Sequence, residues 1–283
     1  MLQHEWTVMA KVIAVSATAL LTAGSSLAQD QPGPSLHFAS NANFDEAGRF
    51  APKDFGFNIA DVSSAEMLDA LPDGVFGMIW VGRCEGPDAR FQETVNSVIQ
   101  HPKLFAFYLA DDPDPSGRWR KTCPPANLRA ESDWIHERRP DALTFVALMN
   151  LGDEAEPRFH PDLRPQITQV DLFGVSPYPC RRDWPKCDFT MVDRFVDAAL
   201  KAGIPNSAIV PVYQTFGGGR WTANGGGYRM PDAAELREMI LAWRKRTPNP
   251  RFDYAYSWGS QNGDIALSGS SALRDVLKEF NAN

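Results

Sequence analysis

Past residue 28 the chain has no apolar run long enough to cross a bilayer. It has no Gly-x-Gly-x-x-Gly turn after a first strand, no Gly-Lys-Ser/Thr, no Cys-x-x-Cys and no closely spaced histidines. No serine sits in a nucleophile elbow. Those absences remove the sequence basis for a dinucleotide domain, a phosphate-binding loop, a zinc ribbon and a serine hydrolase. Neither a cofactor nor a metal is expected. Positive charge is also short, with 28 Lys and Arg against 35 Asp and Glu and a net charge of −7. An acidic chain of this kind is a poor partner for nucleic acid.

What is present begins with a leader. Lys11 precedes an apolar stretch from Val12 to Leu21, and Ser26-Leu27-Ala28 gives a small-x-small cleavage site. This is the build of a secretory signal peptide. The expected division is residues 1–28 as signal and 29–283 as one domain, secreted or periplasmic. No cysteine follows the cleavage site, which argues against a lipid anchor. An even count of four cysteines, Cys84, Cys123, Cys180 and Cys187, then reads as two disulfides. Cys180–Cys187 would close a short loop, and Cys84–Cys123 would join two loops.

About 255 residues remain, the usual size of one barrel domain. Eight short runs rich in Val, Ile, Phe and Tyr read as strands, at 36–40, 55–60, 75–81, 105–110, 143–149, 170–175, 209–214 and 252–258. Between them helical periodicity appears at 91–100, 125–139, 191–202, 233–246 and 270–280, with Val192, Phe195, Val196 and Leu200 on one stripe. Residues 41–54 and 61–74 leave room only for short helices. Eight rounds of alternation imply a single (β/α)8 TIM barrel with elaborated βα loops, rather than an open sheet. A monomer is expected.

In such a barrel the reacting groups lie where strands end. Strand four ends in Ala110-Asp111-Asp112-Pro113-Asp114. Two adjacent carboxylates repel, which pushes one toward the neutral form that a general acid needs. The rival readings are a solvated acidic turn or a Ca²⁺ site using Asp111, Asp112 and Asp114. Asp61 and Glu85 follow strands two and three, and Asn150 follows strand five. The glycine-rich loop at 217–227 carries Trp221 and reads either as a mobile lid or as a plain flexible connection. His37, His101, His136 and His160 are scattered and read as structural or surface residues. Trp80, Trp134 and Trp243 fall inside elements and read as core.

Phe107-Tyr108-Leu109-Ala110-Asp111-Asp112-Pro113 resembles the strand-four segment of retaining (β/α)8 glycoside hydrolases, where an Asn/Asp-Glu-Pro motif carries the acid/base. Tyr254-Ala255-Tyr256-Ser257-Trp258 resembles their eighth strand. The resemblance implies Asp112 as acid/base, Asp111 as its orienting neighbour and Trp258 as a stacking floor. It also implies Tyr178 and Tyr213 as substrate-facing tyrosines. That family places a nucleophilic Glu at the end of strand seven, and this chain has Gln214 there. Three explanations follow: a second carboxylate from Glu85, Asp61 or Asp183, a shifted alignment, or a barrel that binds glycan without cleaving it. The expected substrate set is Trp258, Tyr178, Tyr213, Gln214, Asn150 and Trp221, with a carbohydrate as partner. The function expected is glycoside hydrolysis by carboxylate acid/base catalysis. The alternative is a non-catalytic glycan-binding or envelope protein.

Overall fold

The computed structural model describes residues 36–223 and 226–282. The leader and its cleavage site lie outside the described residues. Eight parallel strands close into a barrel: β1 (His37–Ala39), β2 (Ile59–Val62), β3 (Phe76–Trp80), β4 (Leu104–Asp111), β5 (Leu143–Ala147), β6 (Leu172–Val175), β7 (Ile209–Gln214) and β8 (Asp253–Tyr256). Closure is made by β1, which pairs with β2 (Phe38 opposite Ile59) and with β8 (His37 opposite Asp253). The helices are α1 (Ala65–Ala70), α2 (Ala89–Val98), α3 (Pro125–Arg138), α4 (Pro165–Thr168), α5 (Thr190–Lys201), α6 (Ala233–Arg246) and α7 (Ser271–Asn281). Among the described residues no helix is long and apolar enough to cross a membrane.

Strand alternation splits the core in two. Phe38, Ile59, Met78, Tyr108, Phe145, Val212, Phe252 and Tyr254 fill the barrel interior. The opposite faces join the helices, with Met191, Phe195 and Val196 of α5 and Leu236, Ile240 and Trp243 of α6. The α5 stripe ends early, because Leu200 is exposed. Asp232 and Glu235 cap α6 reciprocally, which satisfies amide donors that its first turn leaves free.

The second strand starts later than the sequence suggested. Pro52 opens a 3-10 turn over Ala51–Phe55, and Gly56 follows at φ 81, so the extended run begins only at Ile59. The glycine-rich loop is not a plain connection. Phe216–Gly218 pairs antiparallel with Asp264–Ala266, and Thr222–Ala223 pairs with Gly226–Gly227.

Both disulfides form, Cys84–Cys123 and Cys180–Cys187. They staple the loops after β3, β4 and β6, not the barrel wall. Reduction is therefore expected to raise amide hydrogen exchange in those loops while the eight strands keep their protection. Exchange rising first in the strands would contradict this.

Glu131, on α3, is wholly buried under the Cys84 loop. Its Oε1 accepts from the Gly86 amide at 3.0 Å, and Oε2 has no partner among the described residues. Burial, with help from nearby Asp88 and Glu85, pushes its carboxyl up to about 7. The folded chain thus holds a proton there that the unfolded chain has released. Stability falls as pH rises from the ordinary Glu range to about 7, and is flat beyond it. Glu131→Gln is expected to match wild type in acid and to exceed it by about 3 kcal/mol above neutrality, read as denaturant midpoints.

Candidate active site

The C-terminal mouth of the barrel carries a cleft of about 480 Å³, whose lining includes Ser40, Asn41, Asp61, Trp80, Tyr108, Asp111, Tyr254, Tyr256 and Gln261. A bulge in β4 sets its chemistry. The pairing of β4 with β5 shifts between Tyr108 and Ala110. Leu109 and Ala110 both join the outer core, while Tyr108 lies inside the barrel. The extra residue restores Asp111 to the inner face. There the Tyr108 hydroxyl donates to Asp111 Oδ1 at 3.0 Å. Asp111 keeps exposed surface at the cleft, yet partial desolvation by the cleft walls raises its carboxyl above its ordinary range, against the Tyr108 hydrogen bond and the Arg120 charge.

Asp112 leaves the strand. Its φ of 50 is left-handed, a conformation Asp tolerates better than most residues. Its Oδ2 accepts from Arg120 Nη2 at 2.9 Å, and it does not line the cleft with Asp111. Burial and the charge of Asp111 push its carboxyl up to about 6. Asp111 thus lines the cleft, and Asp112 flanks it outside the cleft lining.

Asp61 reaches the same cleft from within β2. Its Oδ2 accepts from the Asn41 amide at 3.2 Å, and burial raises its carboxyl. Tyr254 donates to Ser40 Oγ at 2.9 Å and Tyr256 to Gln261 Oε1 at 3.3 Å. The cleft thus joins two protonatable carboxylates with aromatic rings and amide groups.

Asp114 is spent on structure. It is fully buried. Oδ1 accepts from the Ser116 amide and hydroxyl, and Oδ2 from the Trp119 and Arg120 amides. Burial would raise its carboxyl, but these hydrogen bonds hold it at about 2. Both oxygens are occupied, so the Ca²⁺ reading loses one of its three ligands.

A second cavity of about 560 Å³ adjoins the cleft, with Trp119, Arg120, Asn150, Glu154, Thr222 and Tyr228 in its lining. The side chain of Asn150 mainly shapes its own loop, accepting from the amides of Gly152 and Arg158. Tyr178 stands between the cavities, its ring 5.9 Å from Tyr256 and 5.8 Å from Tyr228. Trp221 donates to Asp264 Oδ2 at 2.8 Å and lies beside Tyr256.

Four residues expected at the site take other places. Glu85 is held by Arg83 and Lys121, which keep its carboxyl at about 2, and it lines a separate cavity beyond Trp80. Tyr213 points to the outer side of the wall, where its hydroxyl donates to Asp253 Oδ2 at 3.1 Å and His37 Nδ1 meets Oδ1 at 2.8 Å. Trp258 is buried against Phe55 and Phe57. Gln214 has no exposed surface, and its amide is committed to the backbone of Cys180, Phe216 and Arg229. Periodicity alone also misplaces Trp80, which is open at the mouth rather than in the core. Its place as the last residue of β3 is the signal that could have found it.

Comparison with solved structures decides the architecture. The GH18 chitinase ChiB from the chitin utilization locus of Flavobacterium johnsoniae superposes at a TM-score of 0.58, with 9% identity, over 89% of this chain and 94% of that one. A fungal endo-beta-N-acetylglucosaminidase of glycosyl hydrolase family 18 gives 0.52, with 14% identity, over 88% and 97%. The spore cortex-lytic enzyme SleL of Bacillus megaterium gives 0.54, with 12% identity, over 90% and 75%. The fold shared with these structures is the (β/α)8 barrel. No family model and no curated protein matches the chain. Within this barrel, Asp111 sits where β4 opens into the mouth, and Asp61 lines the same cleft from β2.

Proposed function

We propose that the chain is an exported protein that binds a glycan at the mouth of the barrel and hydrolyses a glycosidic bond there, with Asp111 as general acid. The observation that carries this reading is the place of Asp111: a carboxyl open to the cleft, hydrogen-bonded to Tyr108 and raised by partial desolvation, in a cleft that also holds Asp61 and several rings. A protonated Asp111 donates to the leaving glycosidic oxygen. Asp61 is the second carboxylate that glycoside hydrolysis requires, taking a proton from the attacking water. Asp112, held by Arg120, flanks the acid outside the cleft lining. Export rests on the leader and agrees with two disulfides, which persist in oxidising compartments.

One observation favours binding without turnover. The end of β7 carries no carboxylate, and Gln214 has no exposed surface from which to act on a sugar. A single experiment separates the two readings. The purified domain is offered a panel of glycans, beginning with chitin, the polymer named for one of the fold neighbours. Binding and release of reducing ends are both measured. Release of reducing ends supports hydrolysis, affinity without product supports the binding reading, and absence of both removes carbohydrate from the proposal.

A further inference from the structure

The mouth offers more room than one sugar at a chain end would use, and it is divided in an informative way. The cleft of about 480 Å³ holds Asp61, Trp80, Asp111 and Tyr256. The neighbouring cavity of about 560 Å³ holds Trp119, Arg120, Asn150 and Tyr228. Each is by itself the size of a small-molecule site. Their shared boundary is the acid pair with Arg120, whose guanidinium binds Asp112 and lines the second cavity. The ring series Tyr256, Tyr178, Tyr228 completes it.

Two large apolar side chains are left open at this mouth, one in each cavity. Trp80 is 42% exposed and Trp119 is 56% exposed. The Trp80 ring and the Trp119 backbone are held in place, and the Arg118 guanidinium lies over one face of the Trp119 ring at 4.4 Å. The Trp80 indole stands edge-on to Tyr108, with ring centroids 4.7 Å apart, and lies over Gly82, where any Cβ would collide with it. Gly82 also has φ 63, a second reason for glycine there. Trp119 is carried by the loop that buried Asp114 organises, and Asp114 Oδ2 accepts from the Trp119 amide at 2.7 Å. That loop is closed by the Cys84–Cys123 disulfide, and the Cys123 amide donates to the Asp114 carbonyl at 2.9 Å. An exposed indole held in position by its own supports is a poor choice for a bare surface and a good platform for the apolar face of a pyranose.

Resting on the glycan reading above, we infer that this mouth takes an internal stretch of a long glycan, with sugars stacked on Trp80 to one side of Asp111 and on Trp119 to the other. Cleavage then falls within the chain, not at its end. The substrate class is a polymer or long oligosaccharide.

The test uses the whole mature domain and oligosaccharides of increasing length, from disaccharide upward, in the chitin-, cellulose- and xylan-derived series. Dissociation constants are measured by calorimetry and product lengths by chromatography. Affinity is expected to rise at least about tenfold from the disaccharide to the longest ligand. Trp80→Ala and Trp119→Ala should each weaken the longest ligand roughly five- to tenfold, and Trp119→Tyr should recover most of that loss. Thermal midpoints show that the variants fold, and the Tyr variant keeps the test valid if an Ala variant does not. Products of mixed internal length support the inference. Affinity independent of length, or release of single terminal sugars only, overturns it while leaving the glycan reading intact. Absence of binding in every series overturns both.

Discussion

Asp111→Asn is expected to lower glycoside hydrolysis at least a hundredfold while leaving ligand affinity within a few-fold of wild type. Acid catalysis by one positioned carboxyl contributes about two to four orders of magnitude, and an amide of the same shape retains the Tyr108 hydroxyl as a donor to its oxygen. Asp112→Asn is the informative contrast. It removes the Arg120 partner and the neighbouring charge but leaves the acid in the cleft, so a loss of about tenfold is expected. The pH profile should follow. Both carboxyls of the pair lie above their ordinary range, and Asp112 titrates near 6. The protonated Asp111 is lost as pH rises above the ordinary carboxylate range, so activity declines on the alkaline side. If Asp112→Asn loses hydrolysis and Asp111→Asn retains it, the assignment of the acid is reversed. Equal and small effects remove both aspartates from the chemistry.

The barrel itself is legible in the sequence. Short β-branched and aromatic runs alternate with helical stripes, and both signals survive from local pattern to packed structure, as for β7, whose expected and observed bounds coincide at Ile209–Gln214. The acidic end of strand four is legible too. Which of its aspartates enters the cleft is not, because the answer depends on one extra residue in β4. Strict alternation from Tyr108 would put Ala110 inside and Asp111 outside. The shift against β5 reverses that, and register is a property of two strands together. The same reasoning explains Trp80. Periodicity marks it as part of a strand, but only the height of the barrel decides that the last residue of β3 stands in the open. Trp258 and Tyr213 depart from expectation for a related reason. A place at a strand end does not guarantee access to the mouth, and Phe55, Phe57 and the outer face of the wall have first claim on their rings. Asp114 carries no separate signal at all; its role is visible only once four donors are seen to converge on it.

Gln214 supplies the second large effect, and it concerns the residue at the end of β7, where the glycoside hydrolases that the sequence resembles carry a nucleophile. Installing that nucleophile by Gln214→Glu is expected to create no activity and to cost about 3 kcal/mol of stability. The side chain has no exposed surface. Its Oε1 accepts from the Cys180 amide at 2.8 Å, and its Nε2 shares two hydrogens among the carbonyls of Cys180, Arg229 and Phe216 at 3.0, 2.9 and 3.3 Å. A carboxylate can keep the first bond but has nothing to donate. Three carbonyl oxygens would then face a buried charge, and either the charge or the carbonyls must go unsatisfied at about 1–3 kcal/mol each. Gln214→Ala should cost a similar amount by leaving the Cys180 amide unpaired and a void behind it. Both losses appear as lowered denaturant midpoints with an unchanged slope, and hydrogen exchange should rise first in the Cys180–Cys187 loop that this amide ties to β7. Their common origin is a clasp between strand and loop, so ligand affinity should change little in any variant that remains folded. A Glu variant that gains turnover would mean that substrate reaches β7, and the clasp would then be a feature of the empty barrel alone.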